Sequence, residues 1–361
     1  MHFTRLEIKS TRVKNYFQKD GRHFIELEEN PFYEDGAGGQ IGDRGFIDEA
    51  RVLYVSDLIE IDRPLSAGST VEIKIDVERR REIARQHTAQ HIISAVIEKD
   101  YGAKTVGFHM GEEDTTIDLN GTFNIEETEN ASNEIVFSNL KVEEIILTPE
   151  EVSKYELRKD LSEKAIKSGN VRLIKIEDFD LNACGGFHVG STSEIGIIKI
   201  THSERVKGGL TRIWFVAGKR ALRDYQMKSE VLYESAKIFD ASWMDLRSRI
   251  QKSFDDLREK NSTLKKVSEK LANYISKEIQ PFEILELDES VASFLIRIRQ
   301  DIPYAVKIAG TNNVSFSLPN YDRIRVMDLA KTLGIKGGGN GPIYRFAIKN
   351  PQEFMAKIKE I

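Results

Sequence analysis

Three histidines and one cysteine stand in two pairs with the same spacing. His87 and His91 are four residues apart, and so are Cys184 and His188. On a helix, a spacing of four places two side chains on one face, about one turn from each other. Two such pairs can supply the thiolate and imidazole ligands of one tetrahedral zinc site. The spacing therefore predicts one Zn²⁺ per chain, and histidines that are merely packed or exposed are the alternative.

The first pair must be carried by a helix, which the sequence period predicts over residues 78–99. Apolar and imidazole side chains recur there at four-residue intervals, the spacing of one helix face. The second pair follows a strand predicted over 171–176, and Gly185 and Gly186 would let the chain turn so that both ligands face one ion. Further strands are predicted over 71–77, 116–119, 134–137, 195–200 and 212–216, and a helix over 150–167.

The first 75 residues are predicted to be rich in β-structure. Apolar and polar residues alternate over 5–9 and 23–28, which is the period of a half-buried strand. Residues 31–40 contain three glycines within four positions. Such a backbone can adopt positive φ or approach another chain closely.

A long helical segment is predicted over 219–278, because it contains no proline and no glycine. Its apolar residues repeat at seven, which predicts a coiled-coil seam about four heptads long, pairing within the chain or between two chains. A homodimer through this seam or through the C-terminal domain is therefore expected. The seam comprises Trp243, Ile250, Leu257, Leu264 and Leu271. Residues 282–361 return to alternating strands and helices and include a glycine-rich loop predicted at 337–341.

Charge is distributed unevenly along a chain whose net charge is −5. Residues 205–270 carry 16 Lys and Arg against nine acidic residues, so this stretch could hold a polyanion, and a solvated helix surface is the alternative. The single cysteine excludes a disulfide framework and an Fe–S cluster held by this chain alone. The sequence shows neither a run of 18 apolar residues nor a secretory signal, so a cytoplasmic protein without membrane contact is expected.

Two motifs resemble the signature of the alanyl-tRNA editing family, which comprises the editing domain of alanyl-tRNA synthetase and the free-standing AlaX proteins. They are RQHTAQHI at 85–92 and NACGGFHV at 182–189, and TSEIG follows at 192–196. The glycine-rich stretch and residues 105–118 are also similar to this family. The helical segment and residues 337–341 resemble the C-terminal region of the synthetase, with its coiled coil and DHH-associated domain.

This resemblance implies a trans-editing hydrolase, which cleaves the ester that joins a wrong amino acid to the 3′-terminal ribose of tRNA(Ala). It implies seryl- and glycyl-tRNA(Ala) as substrates and zinc as the cofactor. The synthetic site of a synthetase cannot strongly exclude serine or glycine, which explains the need for a second, polar site. We expect no use of ATP, because no P-loop and no adenylation half precede the editing motifs.

Several residues near the motifs are predicted to act at the site. Gln90 and Thr88, on the metal helix, are candidate catalytic residues that orient water or substrate, and a packing role is the alternative for each. Substrate-binding roles are predicted for His109, Gly38, Gly39 and Gln40, and a structural role is the alternative for His109. Glu194 is expected to anchor the loop of the second pair. Contacts with tRNA are predicted at Lys265, Lys266, Gly337, Gly338 and Gly339.

One departure from the family pattern concerns the second motif. The family commonly has Cys-Gly-Gly-Thr-His, whereas Phe187 stands at the fourth position here. We expect this exchange to remove a hydroxyl group beside the metal, which could change the choice of substrate.

We therefore predict an α+β fold in four parts. They are a β-rich N-terminal domain at 1–77, an α+β editing core at 78–218, a long helical, coiled-coil connector at 219–280 and a small α/β, DHH-associated-like domain at 281–361. Two other functions stay open. One is a tRNA- or RNA-binding protein with a structural zinc and no hydrolytic activity, and the other is a helical assembly protein whose basic seam only oligomerises.

Overall fold

The computed structural model describes residues 8–161 and 169–360. The chain forms two compact units, Met1–Val231 and Leu232–Ile361. Each unit contains both helices and strands, so the predicted mixture of α and β structure is confirmed. The division into four domains stays a prediction. Within the described residues, no helix combines the length and the apolar character that crossing a bilayer requires.

The first unit begins with a closed barrel of six strands in the order β1-β2-β5-β4-β3-β6. Its interior is filled by alternating apolar residues, of which Val13, Ile25, Ile47 and Val52 are fully buried. The strand predicted over 5–9 lies mostly outside the described residues. The strands are β1 (Ser10–Lys19), β2 (Arg22–Leu27), β3 (Gly45–Ile47), β4 (Ala50–Val55), β5 (Ile59–Ile61) and β6 (Thr70–Ile75).

Helix α1 (Val77–Tyr101) follows the barrel and lies at the centre of the remaining part of this unit. A four-stranded sheet of order β12-β13-β8-β7 and a three-stranded sheet of order β11-β10-β9 accompany it. The strands are β7 (Thr105–Met110), β8 (Thr115–Leu119), β9 (Val142–Leu147), β10 (Val171–Ile176), β11 (Asp180–Ala183), β12 (Ile198–Arg205) and β13 (Thr211–Ala217). Two helices, α2 (Ile125–Phe137) and α3 (Pro149–Val152), complete the described elements here.

Three predicted elements of this unit are corrected. Residues 134–137 end helix α2 rather than form a strand, because Thr128, Ser132 and Val136 are buried at the four-residue spacing of a helix face. The strand predicted from 195 begins at Ile198, after a 3₁₀ turn at Thr192–Ile195. The helix predicted over 150–167 is described only as the short α3, and residues 162–167 lie outside the described residues.

The long helical segment is interrupted. Helix α4 (Gly218–Ile238) and helix α5 (Leu246–Glu278) are separated by a turn in which Asp240 has a φ of 47°, so Trp243 is not part of a helix. The face of α5 that bears Ser268 and Ala272 is buried. The predicted seam residues of α5 are largely exposed, among them Leu257, Leu264 and Leu271. The coiled coil and the homodimer stay predictions.

The second unit continues with a five-stranded sheet of order β14-β15-β16-β18-β17, in which only β14 and β15 are parallel among the described pairs. Its strands are β14 (Ile284–Leu287), β15 (Tyr304–Ile308), β16 (Asn313–Ser317), β17 (Lys336–Asn340) and β18 (Ile343–Ala347). Its helices are α6 (Glu289–Ile298), α7 (Arg323–Thr332) and α8 (Pro351–Ile358).

The glycine-rich loop predicted at 337–341 is an edge strand for most of its length. Gly337, Gly338 and Gly339 belong to β17 and pair with β18. A Cβ atom at Gly337 would lie 2.1 Å from the carbonyl oxygen of Arg345, and one at Gly339 would lie 2.1 Å from that of Ile343. The glycines therefore permit a close approach of two strands.

Candidate metal centre

Helix α1 carries His87 and His91, which we call the helical pair. Asp76 caps the start of the helix, because its side chain accepts a hydrogen bond from the backbone N–H of Arg79, as N-cap residues do. Gly102 ends the helix with a φ of 68°, a conformation that glycine adopts without strain. The predicted helix is confirmed, and both histidines, each 2% exposed, lie inside the protein.

Cys184 and His188, the loop pair, follow strand β11. A Cβ atom at Gly186 would lie 2.2 Å from the His87 ring, whereas one at Gly185 would meet no atom within 4 Å. Gly186 is therefore needed for close approach to the helical pair, and Gly185 shows no such need. Nη1 of Arg172 donates hydrogen bonds to the carbonyl oxygens of Cys184 and Gly186, at 2.8 Å each, and these bonds hold the loop in place.

The structure brings the two pairs together. The Sγ atom of Cys184 lies 3.4 Å from Nε2 of His87 and 3.3 Å from Nε2 of His188. One ligand atom from each of the four residues, including His91, lies within 4.8 Å of the other three. One sulfur and three imidazole nitrogens around a common point match the ligands that zinc prefers. The cluster thus has the composition of a tetrahedral zinc site.

A hydrogen bond sets the tautomer of His87. Oε1 of Gln40 lies 3.1 Å from the backbone nitrogen of Phe187 and 2.8 Å from Nδ1 of His87. The backbone N–H can only donate, which identifies the Gln40 atom as the oxygen. Nδ1 of His87 must then carry the hydrogen, and its Nε2 is left as a ligand facing Cys184.

Similar reasoning applies to His188. The Thr88 hydroxyl donates to the carbonyl oxygen of Ala84 at 2.9 Å and accepts from the backbone N–H of Val189 at 3.2 Å. Its single hydrogen is therefore used, so it accepts from Nδ1 of His188, 3.1 Å away. The tautomer again leaves Nε2 free to bind a metal.

The third histidine faces a carboxylate. Nδ1 of His91 lies 3.3 Å from Oδ2 of Asp180, and Nε of Arg158 donates to Oδ1 of Asp180 at 2.7 Å. Burial opposes ionisation of Asp180, but His91 and Arg158 outweigh it and lower the pKa of the carboxyl group. An ionised carboxylate that holds Nδ1–H of a metal-binding histidine is a common supporting interaction in zinc sites.

The cluster also favours the thiolate form of its cysteine. Burial raises the pKa of Cys184, but the charges and hydrogen bonds of His87 and His188 outweigh it and hold that pKa well below its usual range. Burial lowers the pKa of His188 to about 3. Burial also opposes the charged form of His91, but Asp180 and Cys184 raise its pKa to about 9. A thiolate is the form in which cysteine binds metals.

The two predicted catalytic residues occupy supporting positions. Thr88 is fully buried, and its hydroxyl is committed to Ala84, Val189 and His188. Nε2 of Gln90 donates to Oγ of Ser94 at 2.8 Å. Thr88 thus contacts His188 on the Nδ1 side of its ring, away from the cluster. The amide nitrogen of Gln90 is hydrogen-bonded to Ser94, one turn further along the same helix.

The predicted substrate-binding residues divide into two groups. Gln40 contacts His87, and the close fit of Gly39 against Phe108, 2.7 Å from a Cβ atom at position 39, brings this segment to the centre. Gly38 has a φ of 62° and lies beside the Tyr33 hydroxyl. His109 is exposed on the opposite face of β7, because successive strand residues alternate. The alternation of side chains along β7 points to Phe108, rather than His109, as the residue that faces the cluster. The Phe108 ring stacks on that of His87, with centroids 5.2 Å apart.

The side chain of Phe187 is buried, and the expected effect of this exchange on the choice of substrate stays a prediction. Its ring is 2% exposed, lies 4.7 Å below the Arg80 guanidinium and packs against Tyr33, with ring centroids 4.9 Å apart. The exchange of Thr for Phe therefore fills the contact between the N-terminal segment and helix α1. As expected, Glu194 supports the loop, because its Oε1 accepts a hydrogen bond from the backbone N–H of Gly190 at 3.0 Å.

A cavity of about 420 Å³ reaches the cluster at Cys184. Its wall combines apolar surface with polar and charged side chains of both signs, which are Lys159, Asp160, Asn170, Arg172 and Asn182. Asn182 begins the second sequence motif, whereas the other polar residues of the wall lie outside both motifs and look like ordinary polar residues. Cys184 is one of the residues that line the cavity, so the cavity borders the cluster.

Comparison with known proteins agrees with the geometry. A family model described as "Threonyl and Alanyl tRNA synthetase second additional domain" matches residues 171–213, which include the loop pair. An alanine–tRNA ligase of Saccharolobus islandicus is 30% identical over 287 residues, which cover 73% of this chain and 31% of the ligase. A ligase of Haloquadratum walsbyi is also 30% identical, over 276 residues, 72% of this chain and 30% of the ligase. The chain thus spans about a third of the length of these ligases.

A second kind of relative is matched along nearly its whole length. The alanyl-tRNA editing protein AlaX-L of Pyrococcus horikoshii is 31% identical over 384 aligned positions, which cover 96% of this chain and 93% of that protein. The resemblance read from the two motifs is confirmed. On this match, the chain belongs to the alanyl-tRNA editing family.

Proposed function

We propose that the protein hydrolyses the ester bond of mischarged tRNA(Ala), carrying serine or glycine, and does not itself charge tRNA. The observation that carries this proposal is the convergence of one sulfur and three imidazole nitrogens beside a cavity with polar and charged side chains. Ester hydrolysis requires a positioned water molecule and positive charge near the carbonyl oxygen. The relatives named as an alanyl-tRNA editing protein and as alanine–tRNA ligases support the same substrate.

Zinc is the proposed cofactor, one ion per chain, held by His87, His91, Cys184 and His188. When bound, it supplies positive charge that can polarise an ester carbonyl or lower the pKa of a water molecule. The chain itself orients the ligands, since the partner of each Nδ1 leaves Nε2 facing the centre. Arg172 holds the loop through two backbone carbonyl groups and keeps the thiolate beside the cavity.

The cavity beside Cys184 is the proposed entry point for the 3′-terminal nucleotide and its amino acid. Lys159 and Arg172 contribute positive charge to this cavity, which Asp160 in the wall and the Glu144 partner of Arg172 partly offset. Asn182 offers an amide for a hydroxyl group. A site that hydrogen-bonds the serine hydroxyl rejects alanine strongly, because alanine leaves the polar groups of the site unpaired. The polar side chains of the wall therefore support a preference for seryl-tRNA over correctly charged tRNA.

A tRNA-binding protein with a purely structural metal is the second candidate. It is favoured by the number of protein ligands, because four complete the tetrahedral set of structural zinc, whereas catalytic zinc usually has three. The two candidates agree on the metal and on tRNA and differ only in turnover.

Deacylation by purified protein distinguishes these candidates. We expect release of serine or glycine from mischarged tRNA(Ala), little release of alanine from correctly charged tRNA(Ala), and loss of the activity on chelation with recovery on addition of Zn²⁺. The measurement is the rate of loss of labelled amino acid from tRNA, with and without chelator. Zero turnover by protein that retains its metal and binds RNA would establish the structural role instead.

Binding of tRNA is proposed for the basic face of helix α5 and for the glycine-rich strand β17. Lys265 and Lys266 are both exposed on α5. Near β17, a cavity of about 620 Å³ is lined by Lys336, Gly337 and Arg345, by the acidic Glu289, and by further polar and apolar side chains. Lysine and arginine contacts with phosphates release counterions, which makes such binding depend on salt.

Reversing the charge of Lys265 and Lys266 together is expected to weaken tRNA binding. If each lysine neutralises one phosphate, the slope of log K against log salt concentration should fall by about 2, because each neutralised phosphate contributes about 0.9. Deacylation at saturating tRNA should change little. Filter binding at several salt concentrations measures the slope, and Lys14→Glu with Lys19→Glu on the barrel makes the same change in charge as a control. An unchanged slope would remove these lysines from the interface.

A further inference from the structure

Gln40 connects the helical pair and the loop pair, although it belongs to neither. It directly follows the 3₁₀ turn Ala37–Gly39 between β2 and β3, and its side chain is 1% exposed. Its Oε1 accepts hydrogen bonds from Nδ1 of His87, in the helical pair, and from the backbone N–H of Phe187, in the loop. One oxygen atom from the N-terminal segment therefore fixes the distance between the two halves of the metal centre.

The backbone around Gln40 is held in place. Its carbonyl oxygen accepts from the N–H of Gly36 at 2.8 Å, and its own N–H donates to the carbonyl oxygen of Ala37 at 3.3 Å. Gly39 fits closely against Phe108, where a Cβ atom would lie 2.7 Å from the ring. Three residues further on, Asp43 binds the buried Arg80 of helix α1. The amide is thus presented by a fixed turn, as an orienting group must be.

We propose that Gln40 is a positioning residue of the metal centre, which sets the tautomer of His87 and holds the loop pair against the helical pair. The N-terminal segment is then part of the metal site, although it supplies no ligand. Outer hydrogen-bond partners of metal-binding histidines typically change metal affinity or activity by about 10–100-fold when they are removed. The activity part of this proposal rests on the proposed function, and the metal-binding part does not.

A direct contact between Gln40 and the substrate is the competing role. Among the described residues, Nε2 of Gln40 is buried without a hydrogen-bond partner, and such a contact would use this atom. The two roles give different kinetics. Loss of a positioning residue lowers zinc affinity and kcat, whereas loss of a substrate contact raises KM and leaves the metal unchanged.

Two substitutions of Gln40 distinguish the effect of its hydrogen-bond acceptor from the effect of the size of its side chain. Gln40→Met keeps the length of the side chain and removes the acceptor, whereas Gln40→Glu keeps an oxygen that can accept from both His87 and Phe187. Tyr33→Phe is the matched control, because it removes the hydrogen bond from the Tyr33 hydroxyl to the carbonyl oxygen of Ala37 in the same turn and leaves His87 untouched. Each full-length protein is examined with Zn²⁺ and with Co²⁺, whose visible absorption reports the ligand geometry.

We expect Gln40→Met to bind zinc about 10–100-fold more weakly in a chelator competition, to change the Co²⁺ spectrum and to lower kcat with little change in KM. Gln40→Glu and Tyr33→Phe should resemble the wild type in zinc affinity and spectrum. If Gln40→Met does not fold, Gln40→Asn withdraws the same oxygen by one methylene and should show the same losses.

The opposite result overturns the proposal. Wild-type zinc affinity and Co²⁺ spectrum in Gln40→Met or Gln40→Asn, with a raised KM, would assign Gln40 to the substrate. Weakened metal binding in these variants supports the proposal even where the wild-type protein hydrolyses no tested ester. In that case the proposed function fails and the positioning role remains.

Discussion

We expect Cys184→Ser to lose stoichiometric zinc and to lower the rate of deacylation by more than about 100-fold. Loss of a residue that only hydrogen-bonds a metal ligand typically costs up to about 100-fold, and loss of the ligand itself should cost more. Cys184 is the only sulfur in the cluster, and His87 and His188 both lie within 3.4 Å of it. A serine hydroxyl is not ionised at neutral pH, so it cannot replace the thiolate that the site stabilises. Metal content of the purified variant and its turnover are the measurements.

A variant at Thr88, which contacts His188 of the same cluster, is the control for this result. Thr88→Val removes the acceptor of Nδ1 of His188 without removing a ligand. It should therefore lose about 10–100-fold in metal affinity or activity and retain a measurable part of both. Full deacylation by zinc-free Cys184→Ser would refute a role of the metal in the chemistry. Undiminished zinc binding by this variant would show that the other three ligands are sufficient.

The second large effect is expected for stability rather than chemistry. Asp43→Asn should lower the free energy of unfolding of the first unit by about 3 kcal/mol, because removal of one charge of a buried ion pair is strongly destabilising. The side chains of Asp43 and Arg80 are 0% and 1% exposed, and three hydrogen bonds of 2.6–3.0 Å join them. The same guanidinium donates to the carbonyl oxygen of Pro31 and covers the ring of Phe187.

Urea unfolding can isolate this unit spectroscopically. The chain has two tryptophans, and in a Trp243→Phe background only Trp214, on strand β13, reports on the first unit. Glu26→Gln is the control, since its partner Lys14 has a side chain that is 56% exposed and exposed pairs contribute at most about 1 kcal/mol. Equal losses for Asp43→Asn and Glu26→Gln would mean that the Arg80 pair contributes nothing beyond an ordinary surface contact.

The four members of the cluster could be predicted from the sequence because histidine and cysteine are scarce here and each pair is close in sequence. A separation of four residues has a direct meaning for His87 and His91, which lie on a helix, whereas Cys184 and His188 lie in a loop. The partners of these ligands could not be predicted in the same way. Gln40 and Asp180 are 47 and 89 residues from the histidines that they contact, and glutamine and aspartate are common surface residues.

The errors in the fold have a similar origin. The apolar residues near Val136 fit a strand when read alone, and only the longer four-residue period and the cap at Asn124 indicate helix α2. Gly337 and Gly339 indicate a loop by composition, although they serve strand pairing. The seven-residue period of the connector includes Trp243, which lies in the break at 239–245, because the period of side chains does not report the backbone turn at Asp240.

The segment between β2 and β3 bears on how this protein can be divided. Pro31 and Asp43 hold Arg80, Tyr33 supports the Phe187 ring, and Gln40 meets His87. All of these contacts cross position 77, where the sequence predicts a boundary between two modules. Removal of residues 1–77 would also remove the side chains that contact Arg80, Phe187 and His87. We therefore expect that the barrel and the part of the chain that bears the cluster can be engineered only as one piece.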